Sequence, residues 1–417
     1  MRVLILNQPF HPDVVATAQH AADLSLALTA AGHQVTVLAS GRAYDEPRLR
    51  FASRERWRGV EIQRVGCLSL ARNAAWKRLA TSVTFLLCSA FRVWFLPRPD
   101  LVIALTTPPL ISVLGALVAR LRGSRLLVWL MDLNPDEAVA AGWLRNRSLT
   151  VRCLRALLRF SLHASDRVVV LDRFMRNRLI AYGLPFEKTA IVPPWPHSND
   201  IAYDAPAREA FRRKHGLSGR FIVMYSGNHS PCHPLDTLLS AAQRLASRKD
   251  IGFCFVGGGS EFEKVRRFAA GHNLNNITCI GYQPRHDLSA SLSAADLHVV
   301  VMGDPFVGVV HPCKVYNVLA LGIPMLYIGP DPSPILEVAS RTVRSYRFSH
   351  ARHADVSRVA AEIVKAADAR WAPHPAGPDF SREYSQDALI ERFLSILPNP
   401  RKPESEIFQA SEGVQTL

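Results

Sequence analysis

The chain has 417 residues, of which 48% are hydrophobic and 20% charged, and it carries a formal net charge of +15. This composition excludes a disordered, collagen-like or coiled-coil protein and is typical of two or three folded domains. The seven cysteines have neither zinc-binding spacing nor an even number, so we expect no disulfide scaffold and a reducing compartment. Most of the positive charge lies in residues 1–200, and we expect that half to meet an anionic partner.

The first half of the chain alternates short apolar strands with helices. A strand is predicted at residues 3–6, followed by a helix that ends at Gly32 because glycine favours that position after a helix. Further strands are predicted at 35–38, 101–105, 126–130, 168–171 and 191–192. The pattern predicts a parallel sheet with helices on both faces, and the prolines that follow residue 192 predict the end of this domain near residue 203.

Residues 72–98 combine basic flanks with bulky apolar side chains. The uncharged run 79–91 is shorter than the roughly 20 residues that cross a bilayer, so the segment either lies on a membrane surface or packs as a core helix. Pro108 and Pro109 divide the uncharged run 101–119 into a strand and a helix. Met1 and Arg2 lead directly into the first strand, so no signal peptide is expected. Apolar residues beside the charge favour a membrane over nucleic acid as the anionic partner.

The second half repeats the same rhythm. Strands are predicted at 221–225, 251–256, 277–280, 297–301 and 325–328. The fold class is therefore α/β, with two doubly wound Rossmann-like domains at 1–203 and 204–378 that face a central cleft. Residues 379–397 contain an amphipathic helix that could cross back to the first domain. The polar tail 398–417 is predicted to be disordered.

Several segments carry a family resemblance through their order and spacing. They are QPFHPD at 8–13, AGHQVTVL at 31–38, TTPPL at 106–110, MDLNPD at 131–136, YSGNH at 225–229, VGGG at 256–259, HPCKVYN at 311–317 and LALGIP at 319–324. Together they resemble the glycosyltransferase family 4 proteins of the GT-B fold, in the branch that assembles bacterial surface polysaccharides such as O-antigen and colanic acid. The resemblance covers nearly all of residues 1–397.

The donor site implied by this resemblance lies in the second domain. Glycines after a strand let a nucleotide approach the backbone, although a glycine turn without a ligand remains possible. Pro312 suits the first turn of a helix that ends at Gly322, and the free amides there, with Lys314, could hold a diphosphate. A solvated surface lysine is the alternative for Lys314. The donor-binding candidates are Asn228, His229, His233, Gly257, Gly258, Gly259, Tyr282, Val309, Val310 and Asn317, of which Asn317 could bind a ribose hydroxyl.

The chain departs from the family pattern at four of these positions. Many family 4 enzymes have two glutamates seven residues apart at this helix, where this chain has Val309 and Asn317. The arginine and lysine that usually clamp the diphosphate fall at Asn228 and His233. We therefore assign the diphosphate to Lys314, His229 and His233, with ordinary half-buried histidines as the alternative reading.

Asp132 is the catalytic candidate of the first domain, as Lys314 is of the second. It follows the strand 126–130, at the end where doubly wound folds hold ligands, and could orient the acceptor hydroxyl or stabilise positive charge on the donor carbon. Capping of the next helix is the alternative. His11 and Asp13 are weaker candidates for acceptor binding. Asp136 and Glu137 are expected to stabilise the start of the helix that follows.

The resemblance implies a retaining hexosyl- or N-acetylhexosaminyltransferase. It would move a sugar from a nucleoside diphosphate, expected to be UDP, to a polyprenyl-diphosphate saccharide held in a membrane. No cofactor or metal ion is expected, because no acidic pair lies beside the donor elements. The expected location is the cytoplasm, peripherally at the inner membrane. A GT-B nucleotide-sugar epimerase and a catalytically inactive GT-B binding module remain as alternatives.

Overall fold

The computed structural model describes residues 1–44, 46, 48–66, 68, 75–196, 201–342, 347–371 and 383–399. The strands of its first domain are β1 (Arg2–Leu6), β2 (Gln34–Ser40), β3 (Arg54–Trp57), β4 (Val60–Val65), β5 (Leu101–Ala104), β6 (Arg125–Trp129), β7 (Arg167–Val170) and β8 (Thr189–Ile191). The helices are α1 (Ala16–Ala30), α2 (Ala75–Val93), α3 (Ile111–Arg122), α4 (Asp136–Ala140), α5 (Leu149–Ala164) and α6 (Arg173–Ala181).

These strands form one sheet in the order β3-β4-β2-β1-β5-β6-β7-β8. All neighbours are parallel except β3 and β4, which form an antiparallel hairpin at the edge. This hairpin was not predicted, because β3, with the sequence RERW, has no apolar run. Its turn is formed by Arg58 and Gly59, which both have positive φ, as the tight turns of hairpins require.

The second domain contains a six-stranded parallel sheet in the order β11-β10-β9-β12-β13-β14. Its strands are β9 (Phe221–Asn228), β10 (Ile251–Gly258), β11 (Ile277–Ile280), β12 (Leu297–Val301), β13 (Met325–Ile328) and β14 (Phe348–Ala351). Its helices are α7 (Ala205–Lys214), α8 (Asp236–Arg244), α9 (Phe262–Gly271), α10 (Leu288–Ser293), α11 (Lys314–Leu321), α12 (Pro334–Thr342) and α13 (Val356–Asp368). The predicted fold class, two doubly wound α/β domains, is confirmed.

The central strands are apolar on both faces because helices cover both sides of each sheet. In β7, for example, Val168, Val169 and Val170 are fully buried. The strand order reverses between β1 and β5 in one sheet and between β9 and β12 in the other. Side chains at the carboxyl ends of these strands are therefore placed to form a ligand site.

The last described helix, α14 (Gln386–Ser395), packs on the first domain. Its Phe393 ring lies 4.7 Å from the ring of Trp129, and the hydroxyl of Ser385 caps its start by accepting from the Ala388 amide. Residues 372–382, which precede it, lie outside the described residues. Most of the tail for which we predicted disorder, residues 400–417, also lies outside them.

Helix α2 has one buried and one exposed face. Phe85 and Val93 are buried in the core, whereas Leu79, Leu87 and Phe91 are each at least 65% exposed. The core-helix reading of residues 72–98 therefore holds for one face of α2, and the membrane-surface reading stays a prediction. Residues 72–74 fall outside the described residues. Within the described ranges, every helix is too short or too polar to span a bilayer.

Six cysteines among the described residues are free thiols, and they include Cys88, Cys232 and Cys313.

Candidate active site

The two domains meet where the loop after β6 approaches the segment that precedes α11. The Leu133 amide donates to the Val309 carbonyl at 2.8 Å. Cys232 Sγ lies 4.0 Å from Glu137 Oε1, so the loop after β9 also reaches the first domain. Val309 and Val310 are buried in this contact, and the Val309 carbonyl is occupied by its hydrogen bond with the Leu133 amide. The candidate active site lies beside this junction.

Lys314 is the first residue of α11. Its Nζ is buried, lies 3.7 Å from the centre of the Tyr225 ring, and has no hydrogen-bond partner among the described residues. Loss of hydration on burial lowers the pKa of Lys314 to about 7. The alternative of a solvated surface lysine is therefore wrong. A buried, unpaired ammonium group at a helix N-terminus favours binding of an anion.

The surroundings of Lys314 differ in detail from the prediction. Helix α11 ends at Gly322, whose φ is 67°, as predicted. Its N-cap, however, is Cys313, so Pro312 lies before the helix and not in its first turn. The amides of Val315 and Tyr316 donate to the carbonyls of Pro312 and Cys313, and fewer amides are free than we expected. Lys314 is consequently the principal positive group at this end of the helix.

The three glycines after Val256 are required by the packing of the protein itself. A Cβ at Gly257 would lie 2.1 Å from the Gly227 carbonyl oxygen, and one at Gly259 would lie 2.3 Å from Asn228 Oδ1. A Cβ at Gly258 would lie 2.7 Å from the ring of Tyr282. The structure thus brings Asn228, the glycines and Tyr282 together. Tyr282, whose hydroxyl donates to the Gly258 carbonyl, remains 57% exposed.

His229 and His233 are neutral at pH 7. Burial, reinforced by the charge of Lys314, lowers the pKa of His229 to about 4 and that of His233 to about 3. Their Nδ1 atoms lie 3.0 Å and 2.7 Å from the carbonyl oxygens of Gly227 and Val301. Since Nδ1 must carry the proton in these contacts, each Nε2 can only accept. In the unliganded protein these rings therefore add no positive charge, and their assigned contact with a diphosphate stays a prediction.

The surroundings of Asp132 favour its protonated form in the unliganded protein. Burial and the nearby carboxylate of Glu137 raise the pKa of Asp132 to about 8. Burial also raises the pKa of Glu137, against the opposing effect of the Asn134 amide, which donates to its Oε2 at 2.9 Å. Of the two roles considered for Asp132, a neutral carboxyl fits orientation of the acceptor hydroxyl better than stabilisation of positive charge on the donor carbon. A protonated carboxyl can still donate a hydrogen bond to an acceptor oxygen.

Asp136 and Glu137 have roles other than simple stabilisation of a helix start. Asp136 begins α4, but its carboxylate pairs with Arg155 at 2.5 Å and accepts from the Tyr182 hydroxyl. This network joins α4 to α5 and α6. Glu137 instead faces Cys232 of the second domain. Glu137 was not predicted as a site residue, because Cys232, which it contacts, is distant in the chain.

The weaker acceptor candidates brace the loop after β1. The ring of His11 stacks on Trp57 with 4.1 Å between ring centres, and its carbonyl accepts from Arg64. Asp13 Oδ1 accepts from the Tyr44 amide at 3.0 Å.

Asn317 is buried in the second turn of α11, one turn from Lys314. Among the described residues, no group of three or more His, Cys, Asp or Glu could hold a metal ion.

A buried chain of polar groups next to the site was missed by the sequence analysis. His311 Nδ1 lies 2.8 Å from Asp172 Oδ2, and His311 Nε2 lies 2.9 Å from the Tyr316 hydroxyl. Asp172 also caps α6 by accepting from the Met175 amide. The only signal in the sequence is the position of Asp172 directly after the apolar run 168–171.

Comparison with known proteins identifies the family. Residues 16–195 match the family model described as a glycosyl transferase 4-like domain, and residues 207–334 match the model for glycosyl transferases group 1. The chain belongs to the family 4 glycosyltransferases. This family 4 chain is 26% identical over 338 residues to the putative colanic acid biosynthesis glycosyl transferase WcaI of Escherichia coli K12, covering 77% of this chain and 82% of WcaI.

Solved structures of other GT-B glycosyltransferases share the fold of this family 4 chain. Sucrose-phosphate synthase from Thermosynechococcus elongatus superposes with a TM-score of 0.71 at 16% identity, covering 98% of this chain and 100% of the synthase. HepE from Anabaena, in complex with UDP-glucose, superposes with a TM-score of 0.69 at 15% identity, covering 95% and 100%. At these identities the likeness shows the fold alone.

Proposed function

We propose that this glycosyltransferase moves a hexosyl or N-acetylhexosaminyl group from a UDP-sugar to a membrane-held polyprenyl-diphosphate saccharide. The observation that carries the proposal is the buried ammonium of Lys314, which has no hydrogen-bond partner among the described residues and a pKa of about 7. A bound diphosphate would supply the missing anion. The UDP-glucose complex of HepE, a protein of the same fold, supports UDP as the carrier.

The second domain binds the donor in this proposal. The sugar–phosphate bond would break with its electron pair going to the diphosphate, while the acceptor hydroxyl bonds to the anomeric carbon and gives its proton to the leaving diphosphate. Negative charge therefore grows next to Lys314 as the bond breaks. Asn228, Tyr282 and Asn317 would contact the nucleoside. The neutral rings of His229 and His233 can accept hydrogen bonds from hydroxyl groups but cannot donate to phosphate oxygens. No metal ion or cofactor takes part in the proposed reaction.

The first domain presents the acceptor. Asp132, in its protonated form, would donate a hydrogen bond to the acceptor saccharide and orient its attacking hydroxyl. Retention of the anomeric configuration is proposed from the family resemblance. Assignment to surface-polysaccharide assembly is supported by the likeness to WcaI, whose name refers to colanic acid biosynthesis. The exposed apolar face of α2 supports a peripheral position at the cytoplasmic side of the inner membrane.

A transfer assay tests this proposal. The purified protein is incubated with a panel of radiolabelled nucleotide sugars and a detergent-solubilised extract of bacterial lipids. Label from a UDP-sugar should appear in the lipid fraction, and nuclear magnetic resonance of the product should show the anomeric configuration of the donor. Interconversion of donors without transfer would indicate an epimerase, and failure to bind any donor would indicate an inactive binding module.

Matched variants make the assay specific for the site. Lys314→Met removes the buried ammonium and should abolish most of the transfer. Lys264→Met removes a lysine that is half exposed and pairs with Asp236 on the surface, so it should leave transfer unchanged. Equal activity of both variants would contradict the assigned role of Lys314.

A further inference from the structure

A groove of about 800 Å³ lies on the second domain, beside its junction with the first. Its walls are the loops that follow β9, β12 and β14, together with the starts of α8 and α13. Ala140, at the end of α4, adds a contribution from the first domain. The volume falls within the range of small-molecule sites, about 300–1,000 Å³, and the loops follow the carboxyl ends of strands, where doubly wound sheets bind ligands.

The groove is next to the candidate active site but separate from the donor residues. The Gly303 amide donates to the Cys232 carbonyl at 2.9 Å, which joins two walls of the groove to each other. Cys232 Sγ in turn lies 4.0 Å from Glu137 Oε1 of the first domain. Among the described residues, the lining contains none of the donor-binding candidates and neither Lys314 nor Asp132. A ligand in the groove would therefore leave the diphosphate site open.

Hydrogen bonds fix the walls of the groove in place. The Ala354 amide donates to Thr237 Oγ1 at 3.0 Å, which connects the loop after β14 to the first turn of α8. His353 Nε2 lies 2.8 Å from the Met302 carbonyl oxygen, which connects the same loop to the end of β12. A groove that is already formed has less conformational entropy to lose when a ligand binds.

The groove is acidic although the chain carries a net charge of +15. Among the described residues that line it, the formally charged ones are Asp236 and Asp304. Asp236 pairs with Lys264 at 2.9 Å. The Asp304 carboxylate is 70% exposed and lies 3.9 Å from His353 Nε2, too far for a hydrogen bond. A diphosphate or an anionic lipid headgroup would be repelled here.

The other groups of the lining match a neutral saccharide. A sugar ring presents hydroxyl groups at its edge and C–H groups on its faces. Asp304 can accept hydrogen bonds from such hydroxyls, and Ser240 can both donate and accept. Three partly accessible prolines offer apolar surface to the faces of the rings, namely Pro231, Pro234 and Pro305. A few polar groups on a mainly apolar lining are typical of ligand sites.

We propose that this groove binds the neutral saccharide part of the acceptor, namely the sugar residues that precede the one that receives the new sugar. Asp132 of the first domain would orient the reacting hydroxyl, while the groove holds the preceding sugars and selects acceptors by their glycan. The second domain then contributes to acceptor recognition as well as to donor binding. This inference rests on the saccharide acceptor of the proposed function.

Transfer kinetics with the bacterial lipid extract as acceptor test the groove. Ser240→Tyr fills it with a bulky ring, and Asp304→Ala removes its free carboxylate. Each variant should raise the extract concentration that gives half-maximal transfer about tenfold. Turnover at saturating acceptor and calorimetric affinity for UDP should match the wild type, because a contact with distant sugars is equally strong before and during the reaction.

Asp368→Ala is the matched control. It removes an exposed aspartate at the opposite end of α13, where Arg248 keeps Asp250 as a partner, and should leave all these quantities as in the wild type. Unchanged thermal unfolding would show that each variant is folded. Wild-type acceptor kinetics in both Ser240→Tyr and Asp304→Ala would overturn the proposal.

Binding of free oligosaccharides separates this inference from the proposed function. Mild acid releases the oligosaccharides of the same extract from their lipid diphosphates. In saturation-transfer nuclear magnetic resonance, their ring protons should receive magnetisation from the wild type and from Asp368→Ala, but not from Ser240→Tyr. No signal with the wild type, or an equal signal with Ser240→Tyr, would overturn the groove. Groove-dependent binding without any transfer would refute the proposed function and leave this inference intact.

Discussion

Asp172 of the first domain and His311 of the second are joined by a buried hydrogen bond of 2.8 Å. An ionised carboxylate can only accept, so His311 donates from Nδ1, and its Nε2 then accepts from the Tyr316 hydroxyl. His311 stands three residues before Lys314. The start of α11, and with it the ammonium group, is thus positioned by a contact with the other domain.

His311→Phe should destabilise the protein and slow turnover. The substitution keeps a ring but leaves the Asp172 carboxylate and the Tyr316 hydroxyl buried without this partner, which costs about 1–3 kcal/mol. Urea unfolding measures the loss. Asp172→Asn, which retains a capping side chain for α6, should be milder. A folded His311→Phe variant with wild-type stability and turnover would show that the bond does not position α11.

Lys314→Ala should reduce turnover about a hundredfold to a thousandfold, the typical effect of removing one group that stabilises developing charge. Lys314→Arg should recover only part of this activity because the longer, planar guanidinium must fit over the Tyr225 ring. Asn317→Ala should mainly weaken donor binding. Steady-state kinetics with a UDP-sugar separate the two effects. Near-normal turnover of folded Lys314→Ala would place the diphosphate elsewhere.

Asp132→Asn should change how stability depends on pH. The pKa of Asp132 is raised to about 8 in the folded protein and is about 3.9 when unfolded, so the folded state binds more protons between these values. Stability from this group is therefore greatest below about pH 4 and is lost as the pH rises towards 8. Thermal unfolding at several pH values should show a flatter curve for the asparagine variant. Parallel curves would contradict the raised pKa.

Removal of divalent metal ions should leave activity unchanged. In the proposed reaction Lys314 stabilises the leaving diphosphate, the role that a metal ion has in other transferases. Transfer measured with and without a chelator, after dialysis of the enzyme, checks this expectation. Loss of activity on chelation, restored by added magnesium, would show that Lys314 does not act alone.

The sequence predicted the strands and helices that have strong apolar periodicity, such as β1, α1 and β6. It missed the β3–β4 hairpin and β14, which are short strands at or near sheet edges with many polar residues. It also placed Asp132 and Lys314 at the correct ends of their elements. Their protonation could not be predicted, because burial and the effect of Glu137 on Asp132 depend on the three-dimensional arrangement of the folded chain.

The reassignment of His229 and His233 has the same origin. Histidine near a phosphate site suggests positive charge when only the sequence is known. Burial and the charge of Lys314 lower the pKa of both rings, against the opposing effect of the Gly227 and Val301 carbonyls, and these causes exist only in the folded chain. The proposed diphosphate site therefore depends on Lys314 for its positive charge.

The most direct test of this account is calorimetric titration of wild-type protein and Lys314→Met with UDP at about pH 6 and about pH 8.5. A bound diphosphate stabilises the charged lysine and raises its pKa, so wild-type affinity should fall as the pH rises above the free pKa of about 7. Binding near pH 8 should therefore take up a proton from the buffer. Lys314→Met should bind UDP more weakly at the lower pH and lose this dependence. Equal affinity of both proteins, with the same pH dependence, would contradict the central role of Lys314.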